Sequence, residues 1–251
     1  MERKFKNVRR GVYILPNLLT TGALFAGFYA IVAAMNADFE LAAMAIFVAM
    51  VMDTLDGRVA RLTNTQTKFG AEYDSLSDIV NFGLAPSLVV YQWGLDNLGK
   101  IGWLIAFFYT AATALRLARF NSQMGQKLDK RFFVGMPCPA AAGVVAGMIW
   151  VFTLYEVSTP ILHLFASGTT IFMGLLMVSN ILFHSFKDLH LRNKVPFVAV
   201  LVILLGFVFV ALDPATVLFG IFFSYALSGP LLGLFRWRRR KNMLKKRREK
   251  I

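Results

Sequence analysis

Four aspartates, Asp53, Asp56, Asp74 and Asp78, fall within 26 positions of a chain whose surroundings are strongly apolar. An acid at the centre of a bilayer costs at least about 2.5–3.5 kcal/mol, so carboxylates kept in such segments mark a functional site. Their spacing is helical. Asp53, Asp56, Gly57, Ala60 and Arg61 recur at i, i+3 and i+4 and share one face, and Asp74, Asp78 and Asn81 share a face of the next helix. The connection between the two, residues 62–73, is polar and contains Gly70. Two antiparallel helices would then turn four carboxylates toward each other.

Carboxylates gathered this closely repel unless a cation neutralises them. Their oxygens are hard ligands suited to Mg²⁺ or Mn²⁺. Two such ions would balance four negative charges and bridge a diphosphate, stabilising the attacking and the leaving oxygen of a phosphoryl displacement. Gly57 and Ala60 leave room for a bulky ligand, and Arg61 on the same face is placed to hold a phosphate oxygen. The competing reading is a structural salt-bridge network with Arg58, Arg61 and Arg116, and buried ion pairs of that kind stabilise poorly.

The elements that must position these residues are membrane helices. Of the 251 residues, 57% are hydrophobic and 16% charged, against about 25% charged in a soluble domain. Apolar stretches of spanning length, roughly 20 residues, recur from end to end. Eight are read: 15–35, 40–61, 74–93, 101–120, 138–155, 166–184, 195–212 and 215–235. The expected fold is an all-α integral membrane protein with a single transmembrane domain over residues 1–235 and a basic tail over 236–251. The first apolar run is too long for a signal peptide and is kept as the first span. One cysteine, Cys138, leaves no intrachain disulfide and no cysteine metal cluster.

The net charge of +13 would point to nucleic acid in a soluble protein. Here the charges sit at helix ends and in loops, and no nucleic-acid partner is expected. With the N-terminus inside, 26 of the 27 Lys and Arg residues fall on the cytosolic side, leaving Lys100, while Asp38, Glu40, Asp96, Glu156 and Asp213 fall on the other. That asymmetry obeys the positive-inside rule and places both termini in the cytosol. The tail from Arg236 to Lys250 reads as a topology anchor or as an attractor of anionic lipid.

The pattern Asp53-x2-Asp56-Gly57-x2-Ala60-Arg61-x8-Gly70-x3-Asp74-x3-Asp78 resembles the signature of the CDP-alcohol phosphatidyltransferases at every fixed position. Leu15-Pro16-Asn17-Leu18-Leu19-Thr20 resembles the family's first-helix segment. Leu117 to Asn121 and Gly135 to Ala142 resemble its serine-using bacterial branch, with Met136 a departure from the usual leucine. The resemblance implies a six-helix core with two added helices. It also implies transfer of a phosphatidyl group from CDP-diacylglycerol to L-serine, an inner-membrane location with a cytosol-facing site, and a homodimer. By the same resemblance Asp53, Asp56 and Asp74 would ligate Mg²⁺ or Mn²⁺, and Asp78 would touch one metal and act as general base. Asn17, Thr20, Gly57, Arg61 and Thr67 would contact the CDP-diacylglycerol.

For the acceptor, Arg116, Arg119 and Asn121 at the cytosolic end of the fourth span are read either as a grip on the serine carboxylate or as positive-inside anchors. A sister enzyme using glycerol 3-phosphate would need extra cations for its phosphate. A cation transporter or channel would spread its acids through many helices, and here spans five to eight hold almost none.

Overall fold

The computed structural model describes residues 14–123, 132–184 and 197–248. Helix α1 is Ile14–Met35 and α2 is Phe39–Leu62. They form a hairpin whose turn places Ala37 at φ 58° and whose Asp38 side chain accepts from Leu41 N at 3.1 Å, capping α2. Small residues line the seam: Ala23, Ala26, Ala30, Ala33 and Ala34 on α1, with Ala42, Ala43, Ala45 and Ala49 on α2, all buried. Without a hydrophobic drive between helices in lipid, such faces allow the close backbone approach on which packing depends.

Helix α3 opens at Lys68–Asp78 and runs on through a π-helical turn at Ile79–Leu84, the α-helical Ala85–Val90 and a second π-helical turn at Tyr91–Leu95. It starts earlier than the apolar pattern suggests. Thr67 accepts from Gly70 N at 3.0 Å, and that cap nucleates a polar first turn that hydropathy ignores. The connection from α2 therefore shrinks to residues 63–67. A π turn widens the helix by one residue per turn and re-aims the residues beyond it. Asn81 is accordingly turned onto α1, fully buried against Gly27, with its Nδ2 donating to Ser77 Oγ at 3.0 Å.

Helix α4 is Lys100–Ser122, α5 Cys138–Leu154, α6 Thr159–Val178, α7 Phe197–Leu212 and α8 Pro214–Arg248. The central element is α5: twelve of its seventeen residues are buried, as a helix apolar on all sides requires. It lies between α2 and α8. Gly147 allows the α8 contact, since a Cβ there would stand 3.0 Å from Phe219 Cα.

One expectation is corrected. The stretch read as a span at 166–184 is helical only over Thr159–Val178, because Pro160 suits a first helical turn and Ser179 is extended. Beyond it Leu182–His184 (β2) pairs antiparallel with Phe132–Val134 (β1), with Phe133 opposite Phe183. A short strand pair therefore sits in an otherwise all-α chain.

Among the described residues, four helices are long and apolar enough to cross a membrane: Ile14–Met35, Lys100–Ser122, Pro160–Val178 and Pro214–Gly233. Their outer faces carry large exposed apolar side chains such as Phe25, Phe28, Trp103, Phe107 and Leu164, the surface a lipid-facing helix presents. Helix α5 is apolar but shorter, and α2 and α3 are interrupted by the acids.

Candidate active site

The last turns of α2 and the first turns of α3 form the site. Asp53, Asp56 and Asp74 each offer a carboxylate oxygen, and these atoms lie within 4.8 Å of one another. Asp78, one turn beyond Asp74, brings its carboxyl against that of Asp53. All four predicted acids are thus drawn together, three as a potential metal-holding set and the fourth at its inner edge.

Helix α1 supports the set from the side. Thr20, buried, donates its hydroxyl to Asp56 Oδ2 at 2.6 Å and lies 3.1 Å from Pro16 O. Ser77 Oγ donates in turn to Thr20 O at 3.4 Å, and Thr21 shares a 2.9 Å hydroxyl contact with Tyr73. These bonds fix α1 against both acid-bearing helices. The role of Thr20 as the support of Asp56 is legible only in the fold, for the resemblance marks it solely as a nucleotide contact.

Asp74 Oδ1 and Asp78 Oδ1 are buried, and neither has a hydrogen-bond partner among the described residues. A buried carboxylate oxygen left unpaired costs several kcal/mol, whereas a structural salt-bridge network would have satisfied both. Hard oxygen donors clustered and unsatisfied in this way are the donor set a divalent cation takes.

The expected nucleotide contacts lie around the same opening. A Cβ on Gly57 would meet nothing nearer than the Arg61 guanidinium, 3.7 Å away, so the lane in front of Arg61 is clear. A Cβ on Gly70 would stand 3.2 Å from Thr67 Oγ1 and 3.3 Å from Asn17 Oδ1, so Asn17, Thr67 and Gly70 converge.

The three acceptor candidates diverge. Arg119 Nη2 donates to Asn180 Oδ1 at 2.7 Å, across to the segment after α6, and Asn121 Nδ2 donates to Ser75 Oγ at 3.1 Å, back to α3. Arg116 turns inward. It is 9% exposed, its Nη1 reaches Cys138 Sγ at 3.7 Å, its guanidinium lies 5.8 Å over the Phe120 ring, and its Nε has no partner among the described residues. Cys138, the first residue of α5, thus stands beside the Arg116 guanidinium. Tyr109, fully buried in the same helix as Arg116 with its hydroxyl unpartnered among the described residues, is a polar group that sequence reasoning passed over. Nothing in a lone tyrosine of an apolar helix separates it from core.

The CDP-alcohol phosphatidyltransferase profile matches residues 13–186, and the chain belongs to that family. It is 39% identical over 230 residues to a Helicobacter pylori protein named CDP-diacylglycerol–serine O-phosphatidyltransferase, covering 90% of this chain and 92% of the relative. A Bacillus subtilis protein of the same name is 35% identical over 173 residues, 69% of this chain and 91% of the relative. A Methanocaldococcus jannaschii protein, also of that name, is 36% identical over 143 residues, 57% of this chain and 63% of the relative.

Proposed function

We propose that this chain transfers the phosphatidyl group of CDP-diacylglycerol to the hydroxyl of L-serine, yielding phosphatidylserine and CMP. The observation that carries the acceptor is the buried Arg116 guanidinium, which reaches Cys138 at the head of α5 and has an unpartnered Nε among the described residues. Serine offers a carboxylate that a guanidinium can grip with two parallel N–H donors, and a hydroxyl that can then face Asp78. The names borne by the relatives support the same acceptor.

Asp53, Asp56 and Asp74, with Asp78 at the edge, would hold two Mg²⁺ or Mn²⁺ ions, whose chemistry is to offset the charge of the diphosphate. Asn17, Thr67 and Arg61 line the nucleotide's approach, with Gly57 and Gly70 leaving space for it. Asp78 accepts the proton of the serine hydroxyl. The freed oxygen attacks the phosphorus that bears diacylglycerol, and the bond from that phosphorus to the bridging oxygen breaks, its electron pair leaving with CMP. A carboxylate is a weak base for an alcohol, so holding the two reactants in register supplies much of the acceleration. The acyl chains stay in the bilayer throughout.

The apolar runs support eight spans, and the charge asymmetry supports both termini in the cytosol and an inner-membrane location. Residues 1–235 would form the transmembrane domain and 236–251 the basic tail. A homodimer is the arrangement that family membership favours. Purified protein supplied with CDP-diacylglycerol and Mn²⁺ or Mg²⁺ should form product with L-serine, and not with glycerol 3-phosphate or inositol offered separately. Product from glycerol 3-phosphate and none from serine would overturn the acceptor.

A further inference from the structure

Asn81 is fully buried in the first π turn of α3, and its Oδ1 has no partner among the described residues. A buried amide oxygen left unpaired is costly, so its retention calls for a reason. The other end of the amide supplies one. Nδ2 donates to Ser77 Oγ at 3.0 Å, and Ser77 behaves unlike hydroxyls elsewhere in the bundle. Thr21, Thr54, Ser75 and Ser167 each donate to the carbonyl four residues earlier in their own helix, the usual habit of a helical hydroxyl. Ser77 donates instead across to Thr20 O of α1, at 3.4 Å. With the Asn81 amide hydrogen occupying a lone pair of Oγ, the single hydroxyl proton is left to point away from it, toward α1.

We propose that Asn81 is a positioning residue for the metal-holding acids: its amide aims the Ser77 hydroxyl at Thr20 O, and so fixes the residue of α1 whose own hydroxyl donates to Asp56. The inference rests on the reading of those acids as metal ligands. Thr20 meets both acid-bearing helices, its carbonyl held from α3 and its hydroxyl on Asp56 Oδ2 of α2 at 2.6 Å. That hydroxyl also has Pro16 O within 3.1 Å, and its one proton serves one acceptor well. A shift of the α1 turn would return the proton to its own helix and leave Asp56 without its donor. Gly27 completes the arrangement, for a Cβ there would strike the Asn81 amide. Asn81 thus acts on Asp56 through three hydrogen bonds in series, by way of Ser77 and Thr20. Outer partners of this kind orient a ligand and tune its hold on a metal.

The test measures Mn²⁺ binding directly, from the free-ion electron paramagnetic resonance signal, on chelator-stripped protein in detergent. It compares wild type, Asn81→Ala, Thr20→Val and the double variant. Asn81→Ala should weaken Mn²⁺ binding on the order of three- to ten-fold, the loss expected for one neutral hydrogen bond. In the Thr20→Val background the same substitution should add less than about two-fold, because both changes act on one carboxylate. Gly147→Ala, which crowds Phe219 at the contact of α5 with α8, should lower thermal stability and leave Mn²⁺ affinity as in wild type. Unchanged affinity in Asn81→Ala would overturn the role of Asn81 and leave the metal reading standing. Wild-type protein that binds no Mn²⁺ would overturn the two together. A full further loss in the double variant, or an equal loss in Gly147→Ala, would make the effect one of general packing and overturn the proposal. Should Asn81→Ala fail to accumulate, Ser77→Ala removes the aimed hydroxyl and must show the same loss of affinity, unchanged binding again counting against it.

Discussion

Thr20 and Asp56, 36 residues apart, are joined by a 2.6 Å hydrogen bond from the threonine hydroxyl to Asp56 Oδ2. The bond ties the first helix to the acid-bearing second one, whose Asp56 also offers a carboxylate oxygen to the cluster with Asp53 and Asp74. A partner of this kind orients a ligand and tunes its basicity. Thr20→Val keeps the shape and removes the donor. The concentration of Mn²⁺ or Mg²⁺ needed for half-maximal activity should rise by about 10–100-fold, the usual cost of losing such a partner. Titration of activity with each metal checks this, and an unchanged midpoint would mean that the bond serves packing alone.

Metal dependence itself is expected from the unpaired oxygens of Asp74 and Asp78. Chelator-treated protein should lose turnover and regain it on addition of Mg²⁺ or Mn²⁺, and Asp53→Asn, Asp56→Asn and Asp74→Asn should not be rescued by the added ion. Full turnover in the presence of chelator would remove the metal reading.

Asp78 is distinguished from the other three by its place one turn beyond Asp74, its carboxyl against that of Asp53. Asp78→Asn should still bind CDP-diacylglycerol while transfer falls by about 10²–10⁴, the range for loss of a general base. Binding is read by lipid-dependent thermal stabilisation and transfer by release of CMP. Equal loss of both would make Asp78 chiefly a ligand.

Packing near the site makes a separate prediction about stability. A Cβ on Gly27 would run into Asn81 Oδ1 and stand 3.1 Å from Asn81 Cα. The backbone of the π turn cannot yield as a flexible side chain end would. Gly27→Ala should therefore cost about 1–3 kcal/mol, the range for overpacking a filled core, seen as faster thermal inactivation in detergent. Gly168→Ala, which meets open space, should leave the inactivation rate near wild type.

Local chemistry written along one helix was legible from residue types alone. The i, i+3, i+4 spacing of Asp53, Asp56, Gly57 and Arg61 dictates a shared face wherever the helix sits, because 3.6 residues per turn is a property of the backbone. The apolar runs likewise mark the helices, although their ends moved where caps intervened: Thr67 draws α3 back to Lys68, and Pro160 draws α6 back to Thr159. What depends on neighbours was decided by tertiary structure. Arg116, Arg119 and Asn121 lie within two turns of one helix and look alike as cations and an amide at a helix end, yet only Arg116 is turned to the interior, toward Cys138 of α5. Which side of α4 is inward is set by how α5 and α6 pack on it, and no local pattern records that. The same holds for Thr20 beneath Asp56 and for the β1–β2 pair: each joins residues distant in sequence, whose meeting is fixed by the packing of whole helices rather than by the spacing within any one.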